Sequence, residues 1–156
     1  MSKYSAIVKW YKQKDEKFND NKYSRGHLWV FDGGEIIQAS SSPKVVPLPY
    51  SVEANVDPEE AFIASLSSCH MLFFLSFAAN KKYVVESYID EATGTMQLNE
   101  SNKMAMTDVT LNPIIDFSGD NQPTTKQIKK IHHNAHKQCF IANSVKTSII
   151  INTQSN

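Results

Sequence analysis

The sequence predicts an α+β fold, and three observations carry that expectation. Strand-like segments come first and include a hairpin; helical segments are few and stand at intervals; the element order reads β-β-β-α-β-β-α-β. Antiparallel sheets with helices segregated onto one face are the natural architecture for that order. The 156 residues, 41% apolar and 21% charged, fit one globular domain over 1–156. A chain of this size buries roughly 70% of the surface it exposes when unfolded, enough for a real core.

Lys3 to Tyr11 alternates β-branched and aromatic residues with polar ones and reads as the first strand. Lys12 to Lys22 is dense in Lys, Asp, Glu and Asn and reads as a solvated loop. A strand over His27–Phe31, the triplet Asp32-Gly33-Gly34 and a strand over Glu35–Gln38 form a hairpin, because the glycines supply the positive φ its turn requires. The connection from Ala39 to Val56, rich in Ser and Pro, is long for a compact domain and is expected to be functional or draped over a partner.

A helix is expected from Pro58 to Asn80. Asp57 can cap its free amides, Pro58 suits the first helical position, and Glu59 and Glu60 favour the positive end of its dipole. Val84–Leu98 and Met104–Phe117 alternate enough to be two long strands. Thr124 or Thr125 caps a second helix reaching about His136, and Val145–Thr153, with its three consecutive isoleucines, closes as a buried strand.

Sixteen basic and sixteen acidic residues cancel, so no overall field draws in nucleic acid or anionic lipid. Lys126, Lys129 and Lys130 read as a solvated helix face. Ala61–Ala79 carries no charge and is about long enough to span a bilayer, but it holds Ser65, Ser67, Ser68, Cys69, His70 and Ser76. It reads as a core or dimer helix buried in protein. Met1-Ser2-Lys3-Tyr4 leads directly into an amphipathic segment, so no export signal is read and a cytoplasmic location is expected.

In that setting two cysteines point to reactive or buried thiols rather than a disulfide scaffold. Cys69 lies midway along the apolar helix, where burial raises a thiol pKa and the dipole gives no help. A reactive Cys69 therefore needs a cation from elsewhere. Fifteen of the basic residues are Lys and only Arg25 is Arg, so any guanidinium must be that one. His132, His136 and Cys139 fall four and three apart on one helix face, a spacing open to zinc or to a plain polar face ending in a core cysteine.

Asp57-Pro58-Glu59-Glu60-Ala61-Phe62 followed by Ala64-Ser65-Leu66-Ser67-Ser68-Cys69 resembles the helix motif of the osmotically inducible protein C (OsmC) and organic hydroperoxide resistance family. Cys139-Phe140-Ile141-Ala142-Asn143-Ser144-Val145 resembles its second-cysteine segment, although many peroxidase members have Pro where Phe140 stands. The resemblance spans nearly the whole chain. It implies an intertwined homodimer in which antiparallel sheets wrap two central helices, with two sites at the interface. It also implies catalytic roles: Cys69 attacks peroxide, Cys139 resolves, Arg25 stabilises the thiolate and Glu59 holds Arg25. Ten residues of helix rise about 15 Å, so Glu59 reaches Cys69 only through an intermediary such as Arg25 or with a distorted first turn.

The activity so implied is reduction of an organic hydroperoxide, or of hydrogen peroxide, with an external dithiol such as a dihydrolipoyl group restoring the thiols. No cofactor, metal, nucleic acid or membrane is required. Phe62, Leu72, Phe73 and Phe74 offer an apolar lining or plain core packing, and His27 and His70 could orient peroxide or serve as structural histidines. Two other classes stay open: a zinc protein using His132, His136 and Cys139, and a non-catalytic stress or apolar-ligand-binding protein of the same fold.

Overall fold

The computed structural model describes residues 1–153. They form two compact units, one over Met1–Ala61 and one from Phe62 onward.

The first unit is a three-stranded antiparallel sheet, β1 (Ala6–Lys9), β2 (His27–Phe31) and β3 (Ile36–Ala39), with β2 in the middle. Val8 opposes Trp29 across one pair, and Trp29 opposes Ile37 across the other. The β2–β3 turn falls where the glycines stand. Gly34 has φ +93°, and its amide donates to the Phe31 carbonyl at 3.0 Å. The strand expected over Lys3–Tyr11 contracts to four residues, all exposed, because β2 offers partners only from Leu28 to Phe31.

The long Ser/Pro connection closes on itself. A bridge joins Ala39 to Val56, and the Ser40 amide donates to the Val56 carbonyl at 3.0 Å. Inside the loop, buried Ser40 accepts from the Val52 amide at 2.9 Å. Ends that meet in this way mark a compact loop packed by its own side chains.

Helix α1 runs Pro58–Asn80, as its punctuation predicts. The Glu60 amide donates to Asp57 Oδ1 at 2.7 Å and the Asp57 amide to Glu60 Oε2 at 3.2 Å, a reciprocal cap that satisfies two orphan donors. The helix ends through Lys82 at φ +62°, with the Tyr83 amide returning to the Ala78 carbonyl at 3.1 Å. By length and composition α1 could cross a membrane. In this chain it buries a stripe at four-residue spacing, Leu66, His70, Phe74 and Ala78, while Leu72 stays 62% exposed.

The two long strands read from the sequence each divide. Val84–Leu98 becomes β4 (Val84–Asp90) and β5 (Thr93–Leu98); Met104–Phe117 becomes β6 (Met104–Leu111) and β7 (Pro113–Ser118). β4 pairs with β7 and β5 with β6, both antiparallel, in separate sheets. The break has a polar cause. Asp90 Oδ1 accepts from the Asn112 amide at 2.6 Å, and Asn112 Nδ2 donates to the Glu91 carbonyl at 2.9 Å. Pro113, lacking an amide proton, follows at once.

Helix α2 (Thr125–Gln138) starts from a capping box between Thr124 and Gln127, and a 3-10 turn over Ala142–Ser144 follows. The last strand, β8 (Ser148–Ile151), is shorter than expected and pairs with β6 in parallel, so the expectation of purely antiparallel sheets is corrected there. β8 reaches β6 after the connection through α2, and a strand returning that way can run beside its partner in the same direction. Phe74, Ala78, Tyr83, Ile131 and Ala135 pack one core cluster; Leu66, Val109 and Leu111 pack another.

Candidate active site

The second unit brings the two cysteines together. Cys69 sits half-buried midway along α1, and Cys139 caps the C-terminus of α2 at 1% exposure. The backbone fixes Cys139 on both sides. Its amide donates to the His136 carbonyl at 3.2 Å, its carbonyl accepts from Asn143 at 3.0 Å, and its Sγ accepts from the Ala142 amide at 3.4 Å. Burial pushes the Cys139 thiol up to about 11, and its hydrogen bond to Cys69 adds to that shift. Cys139 is therefore a protonated thiol at neutral pH, near a second, more accessible one.

The first unit holds the other two expected site residues. Arg25 and Glu59 both wall a cavity of about 460 Å³ that Trp10, Phe18, Tyr23 and His27 also line. The Arg25 guanidinium lies 3.7 Å over the Tyr23 ring. Its Nη2 donates to Asn21 Oδ1 at 2.8 Å, and its Nη1 donates to the carbonyls of Asn21 and Tyr23. Its partners are thus the loop before β2 rather than Glu59. Charge, π face and two carbonyls together hold the fork in place.

The aromatic wall is a feature that sequence reading passes over. Phe18 stacks on Tyr23 at 4.6 Å, Tyr23 meets Trp10 edge-on at 5.4 Å, and Trp10 Nε1 donates to the Ser24 carbonyl at 2.8 Å. A single phenylalanine within the charged run Lys12–Lys22 is the signal that this loop is anchored rather than fully solvated.

Of the two histidines considered for peroxide orientation, His27 has both ring nitrogens engaged, whereas His70 is buried with its Nδ1 unpartnered. His27 Nδ1 donates to the Arg25 carbonyl at 2.8 Å and its Nε2 accepts from Trp29 Nε1 at 3.0 Å, which uses both ring nitrogens. His70 is 1% exposed and its Nε2 meets His132 Nδ1 at 2.9 Å, the rings stacked 5° from parallel. Burial lowers both His70 and His132 to about 4; for His70 the neighbouring His136 lowers it further while Asp90 opposes, and for His132 the second cause is His70. The Nδ1 of His132 is therefore engaged by His70 on α1. No cluster of three or more His, Cys, Asp or Glu among the described residues is arranged to hold a metal ion. Of the apolar lining residues, Phe74 is fully buried in the core and Leu72 is exposed.

The fold and the paired thiols define a class: an α+β protein with a helix-borne cysteine and a second one beside it. The OsmC-like protein family matches residues 52–154, and the chain belongs to that family. An OsmC-like protein of unknown function from Vibrio cholerae is 57% identical, with a TM-score of 0.96 over 97% of this chain and 99% of that one. An OsmC-like protein from Mycoplasma pneumoniae shares 16% identity at TM-score 0.71, over 98% and 96% of the two chains. An organic hydroperoxide resistance protein from Legionella pneumophila shares 13% at 0.66, over 97% and 96%. At those lower identities the likeness shows the fold. Comparison with curated proteins finds no match.

Proposed function

We propose that the protein is a thiol-dependent peroxidase that reduces organic hydroperoxides. The observation carrying this reading is the nearness of the half-buried thiol of Cys69 to the buried, protonated thiol of Cys139. The Cys69 thiolate attacks one peroxide oxygen, the O–O bond breaks, and after protonation the alcohol leaves with a sulfenic acid on Cys69. The Cys139 thiol then displaces water from that sulfenic acid and forms the disulfide. An external dithiol, a dihydrolipoyl group or another, returns both thiols by exchange and is itself oxidised.

Arg25 supplies the positive charge that favours the Cys69 thiolate in this proposal, and Glu59 adds a carboxylate to the wall of the same cavity. The aromatic wall around Arg25 favours a hydroperoxide with an apolar substituent over hydrogen peroxide. A homodimer belongs to the same reading. All six residues of β5 are exposed, and Ile7, Val8 and Leu72 present apolar surface that a second copy would cover. We take the cycle to run in the cytoplasm, where thiol reductants are maintained.

Stopped-flow consumption of tert-butyl hydroperoxide with a dithiol tests the reading. Cys69→Ser should abolish turnover, and Cys139→Ser should allow a single oxidation trapped as sulfenic acid. Equal, slow consumption by wild type and Cys69→Ser would remove the enzyme reading. Inactivity together with a co-purifying lipid would favour an apolar-ligand-binding role.

A further inference from the structure

Two histidines that the thiol chemistry does not use are buried between the two cysteine-bearing helices. His70 follows Cys69 on α1, and His132 lies two turns before Cys139 on α2. Their rings are 1% and 3% exposed, stacked at 5.3 Å, and joined by a single 2.9 Å hydrogen bond. An aliphatic pair would fill that space without desolvating two imidazoles. What a histidine pair adds is direction: one ring must donate while the other accepts, and only one axial offset of the helices allows it.

The surroundings narrow that offset further. Phe74, one turn after His70, packs on the His132 ring at 4.4 Å. Phe73, one turn after Cys69, meets Phe140 edge-on at 5.0 Å, next to Cys139. A polar contact and an aromatic one, made by residues next to or one turn from Cys69 on α1, thus both run from α1 to the α2 segment. Disulfide geometry tolerates only a narrow span between the two residues, and small misplacements of reacting atoms lower rates steeply.

We propose that His70 and His132 are positioning residues for the disulfide. Their bond fixes the register of α1 against α2 at which Cys69 and Cys139 meet. Neither ring touches the reacting sulfurs in this assignment; each acts through its helix. The proposal deepens the two-cysteine reading and rests on it only for biological relevance, because disulfide formation can be measured without peroxide.

The experiment equilibrates the purified chain with reduced and oxidised glutathione. Two protein thiols and one glutathione disulfide give the protein disulfide and two glutathiones, so electrons and protons balance. His132→Phe keeps the ring and removes the bond; the disulfide equilibrium constant should fall about tenfold, the scale of one buried hydrogen bond. His132→Asn, which can still pair with His70, should stay within about threefold of wild type by the same scale. Alkylation of Cys69, which reports its thiolate alone, should not change in either variant.

An unchanged constant in folded His132→Phe, or an equal fall in both variants, would overturn the proposal. Should His132→Phe not fold, nitrogen NMR of wild type decides: the His70 and His132 ring signals should differ between dithiol and disulfide forms, and identical signals refute the coupling. A protein that forms the disulfide with normal histidine dependence yet consumes no peroxide would sink the peroxidase reading and leave this one standing.

Discussion

The thiols of Cys69 and Cys139 lie near enough to act on one another, although seventy residues separate them in the chain. The pair is asymmetric. Cys139 is buried at the end of α2 and its thiol is pushed up to about 11, whereas Cys69 is half-exposed on α1. At pH 8 a thiol of that pKa is ionised in only about one molecule in a thousand. Iodoacetamide at pH 8 is therefore expected to modify Cys69 at least about tenfold faster than Cys139. Peptide mass spectrometry after short exposure reads the order. Equal labelling would mean that the roles of attacking and resolving thiol are not set by burial.

The His70–His132 pair makes the fold acid-sensitive. Both imidazoles are held neutral at about 4, below the value of about 6.5 for a free histidine. Between those values the unfolded chain binds protons that the folded chain refuses, so stability is full above about pH 6.5 and falls as pH drops toward 4. The groups that act on the pair are His136 from α2 and Asp90 from β4; His136 works with burial, and Asp90 works against it at His70. Urea midpoints at pH 7, 6 and 5 should decline, by roughly 1.4 kcal/mol per pH unit for each histidine fully in the window. His132→Phe should flatten part of that slope. A wild-type midpoint unchanged from pH 7 to 5 would contradict the buried neutral pair.

How much of this is legible in the sequence depends on the range of the interaction. Asp57, Glu60 and Thr124 mark their helix starts because a cap is made within three residues. The β2–β3 turn is legible because Gly34 must take positive φ locally. The division of the long strands is not, since it depends on Asp90 meeting Asn112, 22 residues away. The histidines mislead for the same reason. His132 shares a helix face with His136 and Cys139, yet its partner is His70, 62 residues back. The cysteines and Arg25 are singled out through motif likeness and residue scarcity, whereas the aromatic setting of Arg25 depends on a loop fold that no local pattern encodes.

Gly94 on β5 gives a packing test in the second unit. A Cβ added there would lie 2.5 Å from Met106 Sδ and 2.7 Å from Ile63 Cδ1, closer than real contacts allow. Both neighbours are ends of flexible side chains, so the strand need not move. Gly94→Ala should cost about 1 kcal/mol, at the low end for overpacking, and Gly94→Val about 2–3 kcal/mol. In a Met106→Ala background the added cost of Gly94→Ala should shrink, which a double-mutant cycle of urea midpoints measures. Strict additivity would show that the Cβ meets no resistance from Met106.

Asp90 links the corner of the sheets to the helix that carries Cys69. One carboxylate oxygen accepts from the Asn112 amide at 2.6 Å and the other from the Ser67 hydroxyl, two residues before Cys69. Asp90→Ala would leave both donors without an acceptor, and charge-assisted bonds of this kind make the loss about 2–4 kcal/mol. Asp90→Asn keeps one carbonyl for the Asn112 amide, and the Ser67 hydroxyl can turn to accept from the new amide group, so about 1 kcal/mol is expected. The neutral side chain also removes the negative charge that opposes the acid shift of His70. The His70 titration in Asp90→Asn should therefore move further below about 4, read from its ring proton shift as pH is lowered. A His70 titration that moves upward instead would mean that the carboxylate does not act on the imidazole, and that Asp90 serves the corner alone.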